Sequence, residues 1–310
     1  MIARLMFKLG VAVCMALAAP LSGAAEPPSR YAFELAPAER FDVGATLVER
    51  HGNGPRALVF IPGLASGAWA WQEGVRRFKD KYTVYVLTFP GFAGRPAVPG
   101  QTLDAARASI MKLIESRKLV RPVLIGHSLG GSLALLVAAQ RPELVKGVVA
   151  LDGLPVFPGT EDIPTGQRAR MGDNMTRQMA ALSPQAFALS QQQYMRSIGS
   201  TDIVRADELA KLSAQSDPAA VARYMAELFA LDLRSELPKI SAPVLVLSPY
   251  FSVDAQQQMM TEAAKTAYYK AIMEGTPQLT VQSIPDARHF AMFDAPDAVM
   301  SAIADFVGKH

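Results

Sequence analysis

Short runs of uninterrupted apolar residues recur along the chain: 57–61 (ALVFI), 83–88 (TVYVLT), 122–126 (PVLIG), 147–151 (GVVAL) and 244–247 (VLVL). Runs of that length, rich in β-branched residues, predict strands buried on both faces. A further strand is predicted at 45–50, ahead of the turn His51-Gly52-Asn53-Gly54-Pro55, and another at 279–284. Between these runs the period changes. Within 102–118, Leu103, Ala106, Ile110, Leu113 and Ile114 fall on one helical face, and Val299, Ile303, Phe306 and Val307 do the same near the C-terminus. Strands alternating with helices predict an α/β fold with a mainly parallel sheet covered by helices.

One stretch breaks the alternation. From 151 to 242 no strand pattern stands out, and helices are predicted at 165–182, 184–198, 202–213 and 217–231. A structureless insertion of that length does not suit a compact domain, so a helical cap over the sheet is expected. It is rich in methionine (Met171, Met175, Met179, Met195, Met225). At helical spacing such residues pack the cap onto the body, and they also offer adaptable apolar surface to a ligand.

The first twenty-five residues stand apart. Arg4 and Lys8 precede the uncharged run 9–21, and Ser22, Gly23, Ala24 and Ala25 follow. This is the pattern of a secretory signal peptide cleaved after Ala24 or Ala25, so a periplasmic or secreted protein is expected, with no stable membrane span after cleavage. Cys14, the single cysteine, lies inside that segment. A mature chain without cysteine forms no disulfide and no thiolate zinc site. Loss of Arg4 and Lys8 lowers the formal charge of +3 by two. With no basic run elsewhere, a nucleic-acid partner is not expected.

Candidate chemistry gathers at three places. The first is Gly126-His127-Ser128-Leu129-Gly130-Gly131. The pattern Gly-x-Ser-x-Gly alone is a weak signal, but here a predicted strand runs into it and the helical run 129–140 leaves it. A sharp strand–turn–helix corner needs small flanking residues and presents the Ser128 hydroxyl at a helix N-terminus. The second is the loop Pro62-Gly63-Leu64-Ala65-Ser66-Gly67 after the strand 57–61. The backbone N–H of Leu64 there, with that of Leu129, would stabilise an oxyanion. The third is His289. A serine needs a base, and of the four histidines His51 lies in an early turn, His310 ends the chain, and His127 is inside the elbow and expected to point elsewhere.

These pieces resemble the α/β-hydrolase superfamily. IPGLASGAW, GHSLGG, the helical insertion, PVLVL and ARHFAMFDAP stand in that family's order and span nearly all of the chain after residue 25. The resemblance implies an eight-stranded, mostly parallel sheet. The expected domain limits are 1–25 (signal), 26–155 (core, first part), 156–240 (cap) and 241–310 (core, second part). It implies Ser128 as nucleophile, His289 as base, and Leu64 and Leu129 as oxyanion donors. The acid departs from the family pattern: after 244–247 the text is Ser248-Pro249-Tyr250-Phe251-Ser252-Val253-Asp254, without the usual glycine and with its aspartate two residues late. Asp152, directly after the strand 147–151, is the favoured acid because a strand end is a stiff mount; Asp254 is the alternative. Asp286 is too near His289 along one loop. The expected activity is that of a serine hydrolase of esterase or lipase type on a small-molecule ester or acyl substrate, without metal or organic cofactor. Amide, lactone or peptide hydrolysis with the same triad, and a non-catalytic binding protein on this fold, are the alternatives.

Overall fold

The computed structural model describes residues 29–100 and 102–310. The segment 1–25 expected to be a signal peptide, with Cys14, lies outside the described residues. Eight strands form one sheet: β1 (Glu39–Val43), β2 (Thr46–His51), β3 (Ala57–Ile61), β4 (Thr83–Thr88), β5 (Val123–His127), β6 (Gly147–Leu151), β7 (Val244–Tyr250) and β8 (Leu279–Pro285). Their spatial order is β1-β2-β4-β3-β5-β6-β7-β8. β2 pairs antiparallel with both β1 and β4, and every pair from β4 to β8 is parallel. Before the insertion lie helices α1 (Gln72–Phe78), α2 (Leu103–Ser116) and α3 (Leu129–Gln140). The insertion itself carries α4 (Thr165–Ala180), α5 (Pro184–Tyr194), α6 (Ile203–Ser213) and α7 (Pro218–Ala230). After it come α8 (Ser252–Gln258), α9 (Glu262–Ile272), α10 (Ala291–Asp294) and α11 (Pro296–Lys309).

The apolar runs are explained by two cores, one on each face of the sheet. Along β3, Leu58 and Phe60 enter one core while Val59 and Ile61 enter the other. Val84 and Val86 of β4, Val149 and Leu151 of β6, and Leu245 and Leu247 of β7 join the first; Tyr85 and Leu87, Val148 and Ala150, and Val244 and Val246 join the second. A strand buried on both sides has no polar position to alternate with. Helix α3 extends the same logic, with eleven of its twelve residues buried; an apolar surface all round marks a helix enclosed by other elements.

Strand β1 (ERFDV) escapes the apolar-run pattern because it is an edge strand with charged residues at Glu39, Arg40 and Asp42. Such charges discourage pairing with other chains. Helices α8 and α9 were not expected either; they occupy the chain between β7 and β8.

Chain order reverses at β3, with β4 on one side and β5 on the other. In open parallel sheets the crevice beyond the carboxyl ends of the strands at such a reversal is where ligands bind. The loops after β3, β5 and β6 all emerge at that end. The insertion leaves after β6, and its two legs meet again at an isolated antiparallel bridge between Val156 and Asp232. Arg168 of α4, buried, pairs with Asp232 at 3.0 Å there. Among the described residues no helix is long and apolar enough to cross a membrane.

Candidate active site

Ser128 stands between β5 and α3 with φ 52° and ψ −120°. A non-glycine residue in that region carries strain on the order of 1–3 kcal/mol, so the surroundings must enforce it. The Ser128 N–H donates to the Leu151 carbonyl at 2.9 Å, and its own carbonyl accepts from Gly131 N at 2.8 Å and Ser132 N at 3.1 Å. The flanking glycines are required by close approach of backbone. A Cβ on Gly126 would lie 2.1 Å from the Gly130 carbonyl oxygen, and one on Gly130 would lie 2.3 Å from that of Ile61. Further non-glycine residues beyond the carboxyl ends of strands also take a positive φ: Ala65 (52°) in the loop after β3, Asp152 (50°) after β6 and Asp286 (55°) after β8.

The loop after β3 lies against the elbow with no side chain between them. A Cβ on Gly63 would come within 2.6 Å of His127 Nδ1 and 3.2 Å of Ser128 Cβ. The loop closes on itself through Ser66 N–H to the Gly63 carbonyl (3.2 Å), and the Ser66 hydroxyl donates to the Leu64 carbonyl (3.2 Å). The insertion also holds this loop. Ser213 of α6 contacts the Ala65 carbonyl at 3.2 Å and the Gln191 side-chain amide of α5 at 2.9 Å. One hydroxyl proton serves one acceptor at a time, so Ser213 donates either to Gln191 Oε1, the shorter contact, or to the Ala65 carbonyl. Leu64 is half-buried and Leu129 buried.

The structure brings His289 and Asp152 together: His289 Nδ1 lies 2.5 Å from Asp152 Oδ2. The Tyr269 hydroxyl of α9 donates to the other oxygen, Oδ1, and the Asp152 N–H continues the ladder to the Leu247 carbonyl at 2.9 Å. Burial alone would raise the Asp152 carboxyl. The positive charge and hydrogen bond of His289, with Lys265 and Tyr269, outweigh it and hold the group well below the usual carboxylate range. An ionised carboxylate only accepts, so Nδ1 carries a proton, and in the neutral imidazole Nε2 is the nitrogen with the free lone pair. Ser128 Oγ has no hydrogen-bond partner among the described residues, so the structure bonds His289 to Asp152 and not to Ser128.

Asp254, the alternative acid, does not reach His289. It lies in the first turn of α8, and both its oxygens are taken by Arg288, at 2.7 Å from Nε and 2.7 Å from Nη2. Asp286 is exposed in the turn after β8. His51 is buried in β2 against Phe33, and His310 packs on Phe306.

His127 corrects the sequence reading. It does not point away. Its ring centroid is 4.6 Å from that of His289 and 4.7 Å from that of Phe290, and its Nε2–H donates to the His289 carbonyl at 2.9 Å. Burial, aided by the neighbouring His289, pushes its pKa down to about 3, so it is a neutral prop beneath His289. Two more residues went unread. Tyr269 holds Asp152, and Tyr194 of α5 stands edge-on to the His289 ring at 6.2 Å, its phenol pushed up by burial and by the Asp152 charge. Neither lies in a local motif. Among the described residues no three His, Cys, Asp or Glu side chains gather as a metal site requires.

Comparison with known proteins identifies the family of the fold. The profile described as the Alpha/beta hydrolase family matches residues 58–302. The chain is 26% identical over 273 residues to 2-(acetamidomethylene)succinate hydrolase of Mesorhizobium japonicum, covering 86% of this chain and 94% of that protein. It is 26% identical over 249 residues to the biotin biosynthesis bifunctional protein BioHC of Cellvibrio japonicus, covering 80% of this chain but 47% of that protein, about half its length. A solved structure of a thermophilic esterase from Thermogutta terrifontis superposes with a TM-score of 0.67 at 20% identity, covering 88% of this chain and 99% of that one.

Proposed function

We propose, from the premise that the chain belongs to the alpha/beta hydrolase family, that it is a serine hydrolase cleaving a carboxylic ester through an acyl-enzyme on Ser128. The observation that carries the reading is the His289–Asp152 pair, which leaves Nε2 of the imidazole as an acceptor at the sheet end that carries the strained serine.

In this reading Asp152 fixes the tautomer and stabilises the imidazolium when it forms. His289 Nε2 takes the Ser128 proton as Oγ attacks the acyl carbonyl. The carbonyl oxygen becomes an oxyanion held by the N–H groups of Leu64 and Leu129, the latter at the N-terminus of α3. The imidazolium then protonates the leaving alcohol. Water, activated by the same imidazole, releases the acid and restores the serine. The similarity to an esterase and to a hydrolase supports hydrolysis as the reaction class. The methionine-rich composition of the insertion supports an apolar acyl group, since Met175, Met179 and Met225 are half-buried and adaptable. The sequence of residues 1–25 supports a periplasmic or secreted location.

The test is a p-nitrophenyl ester series of increasing acyl length, together with labelling by a fluorophosphonate. Turnover and labelling that both vanish in Ser128→Ala are expected. Labelling that survives the substitution refutes the assignment of Ser128.

A further inference from the structure

We infer that Asp294 is a positioning residue that locks the insertion onto the loop carrying His289 and thereby sets the base. The inference rests on the serine-hydrolase reading above and adds a residue to it. Asp294 ends α10, and its side chain is fully enclosed. A buried carboxylate is costly unless it is paired and hydrogen-bonded. Here it accepts from two separate segments. From the base loop, the Arg288 N–H donates to Oδ2 at 2.9 Å. From the insertion, Ser200 Oγ donates to Oδ1 at 2.6 Å, Thr201 N–H to Oδ2 at 3.1 Å, and Arg205 Nη1 to Oδ1 at 2.7 Å. Bonds to an ionised acceptor are the strong ones.

The segment that Asp294 grips leads out of a turn wound more widely than an α-helix, Met195–Gly199. The last carbonyls of a helical segment have no partner within it. Here they are used by the base. The His289 N–H donates to the Ile198 carbonyl at 3.1 Å, and the Phe290 N–H to that of Gly199 at 2.8 Å. Arg288 Nη1 adds bonds to the carbonyls of Arg196 (2.8 Å) and Ser200 (3.0 Å). Both peptide groups of the base are therefore fixed. The insertion holds the His289 N–H, and His127 of the elbow holds the His289 carbonyl. Among the described residues Asp294 is the one side chain that accepts from both the loop and the insertion, so its charge keeps the two in register. The part of the insertion around 195–201 is then fixed against the loop that carries His289.

Asp294→Asn in the full chain tests this. The amide keeps the shape but turns one accepting oxygen into a donor, which then faces two of the four donors. A displacement of the base on the order of 1 Å costs up to about 100-fold in rate. Turnover of p-nitrophenyl butyrate is measured per Ser128 site titrated with a fluorophosphonate, so that unfolded protein is not counted. The expected result is a roughly 10- to 100-fold lower kcat with KM within about threefold, since the substrate-binding surface is not altered. Ser200→Ala, which removes one neutral donor, is expected to lower kcat several-fold and serves as the deciding variant if Asp294→Asn does not fold. An unchanged kcat per titrated site, with only a lower melting temperature, overturns the inference, because the carboxylate then merely fastens the fold. A wild-type chain without Ser128-dependent turnover overturns the hydrolase reading itself, and this inference with it.

Discussion

Acid should destabilise this protein well before its carboxylates titrate, and His127 is the reason. Its ring is buried between the elbow and the base loop, and its pKa falls from 6.5 to about 3, chiefly through burial and then through repulsion from His289. In the unfolded chain the imidazole protonates as pH drops below 6.5; in the folded chain it stays neutral until about pH 3. The unfolded state thus binds the extra proton, and stability falls with falling pH across that window. For such a group the loss between pH 7 and pH 5 is about 2 kcal/mol, taking about 1.36 kcal/mol for each pKa unit expressed. His127→Gln removes the titration while keeping an N–H donor to face the His289 carbonyl. Urea unfolding of both proteins, followed by fluorescence of the two buried tryptophans Trp69 and Trp71, isolates the effect. Other groups are common to both proteins. His51, lowered in the same direction by burial, cancels in the difference, and the stability conferred by Asp152 is present above 3.8 and lost only below it. The wild type should lose about 2 kcal/mol more than His127→Gln from pH 7 to pH 5. Curves that fall in parallel, within about 0.5 kcal/mol, would show that His127 titrates freely in the folded state and would refute the reasoning.

Asp152→Asn should lower kcat by roughly 10,000-fold, as loss of an orienting acid does, whereas Asp254→Asn should stay within about tenfold of wild type because Arg288 and not His289 is its partner; steady-state kinetics on one ester compares the two. Tyr269→Phe leaves Asp152 Oδ1 without its donor and should cost about 1–2 kcal/mol of stability and a few-fold in kcat; thermal melts and kinetics together check it. Gly130→Ala must displace the end of β3, since its Cβ would sit 2.3 Å from the Ile61 carbonyl oxygen. A loss above about 3 kcal/mol is expected, seen as loss of soluble, labelled protein.

Much of the fold is legible along the chain, for reasons that lie in particular residues. Strands such as Ala57–Ile61 and Gly147–Leu151 announce themselves because each feeds two cores and has no polar position. Glu39–Val43 does not, because an edge strand carries charge where a central strand carries valine. The elbow is legible for a local reason: two glycines flank a serine at the junction of strand and helix, and the structure shows backbone oxygens where their Cβ atoms would be. His127 was misjudged because its partner comes from far along the chain. It ends β5 on the face that carries Val123 and Ile125 into the core shared with Phe290, and the base loop lands on that face.

The sequence favours Asp152 over Asp254 only through its mount at a strand end; which residue each aspartate meets is not legible, for a related reason. Both lie beyond strand ends, and what separates them is the residue that each meets. Arg288 precedes His289 directly, and its guanidinium takes both oxygens of Asp254. Asp152 is instead reached by His289, whose backbone is already fixed by Ile198 on one side and His127 on the other. A histidine so constrained at both peptide groups has little freedom to choose its acid. The aspartate on the stiff end of β6, backed by Tyr269 and by the bond from its own N–H to Leu247, meets it there. The local motifs therefore determine where the serine and the loop after β3 stand. The pairing of His289 with Asp152 follows from the contacts between the insertion and the loop that carries His289, which run through the turn 195–201 and no motif encodes.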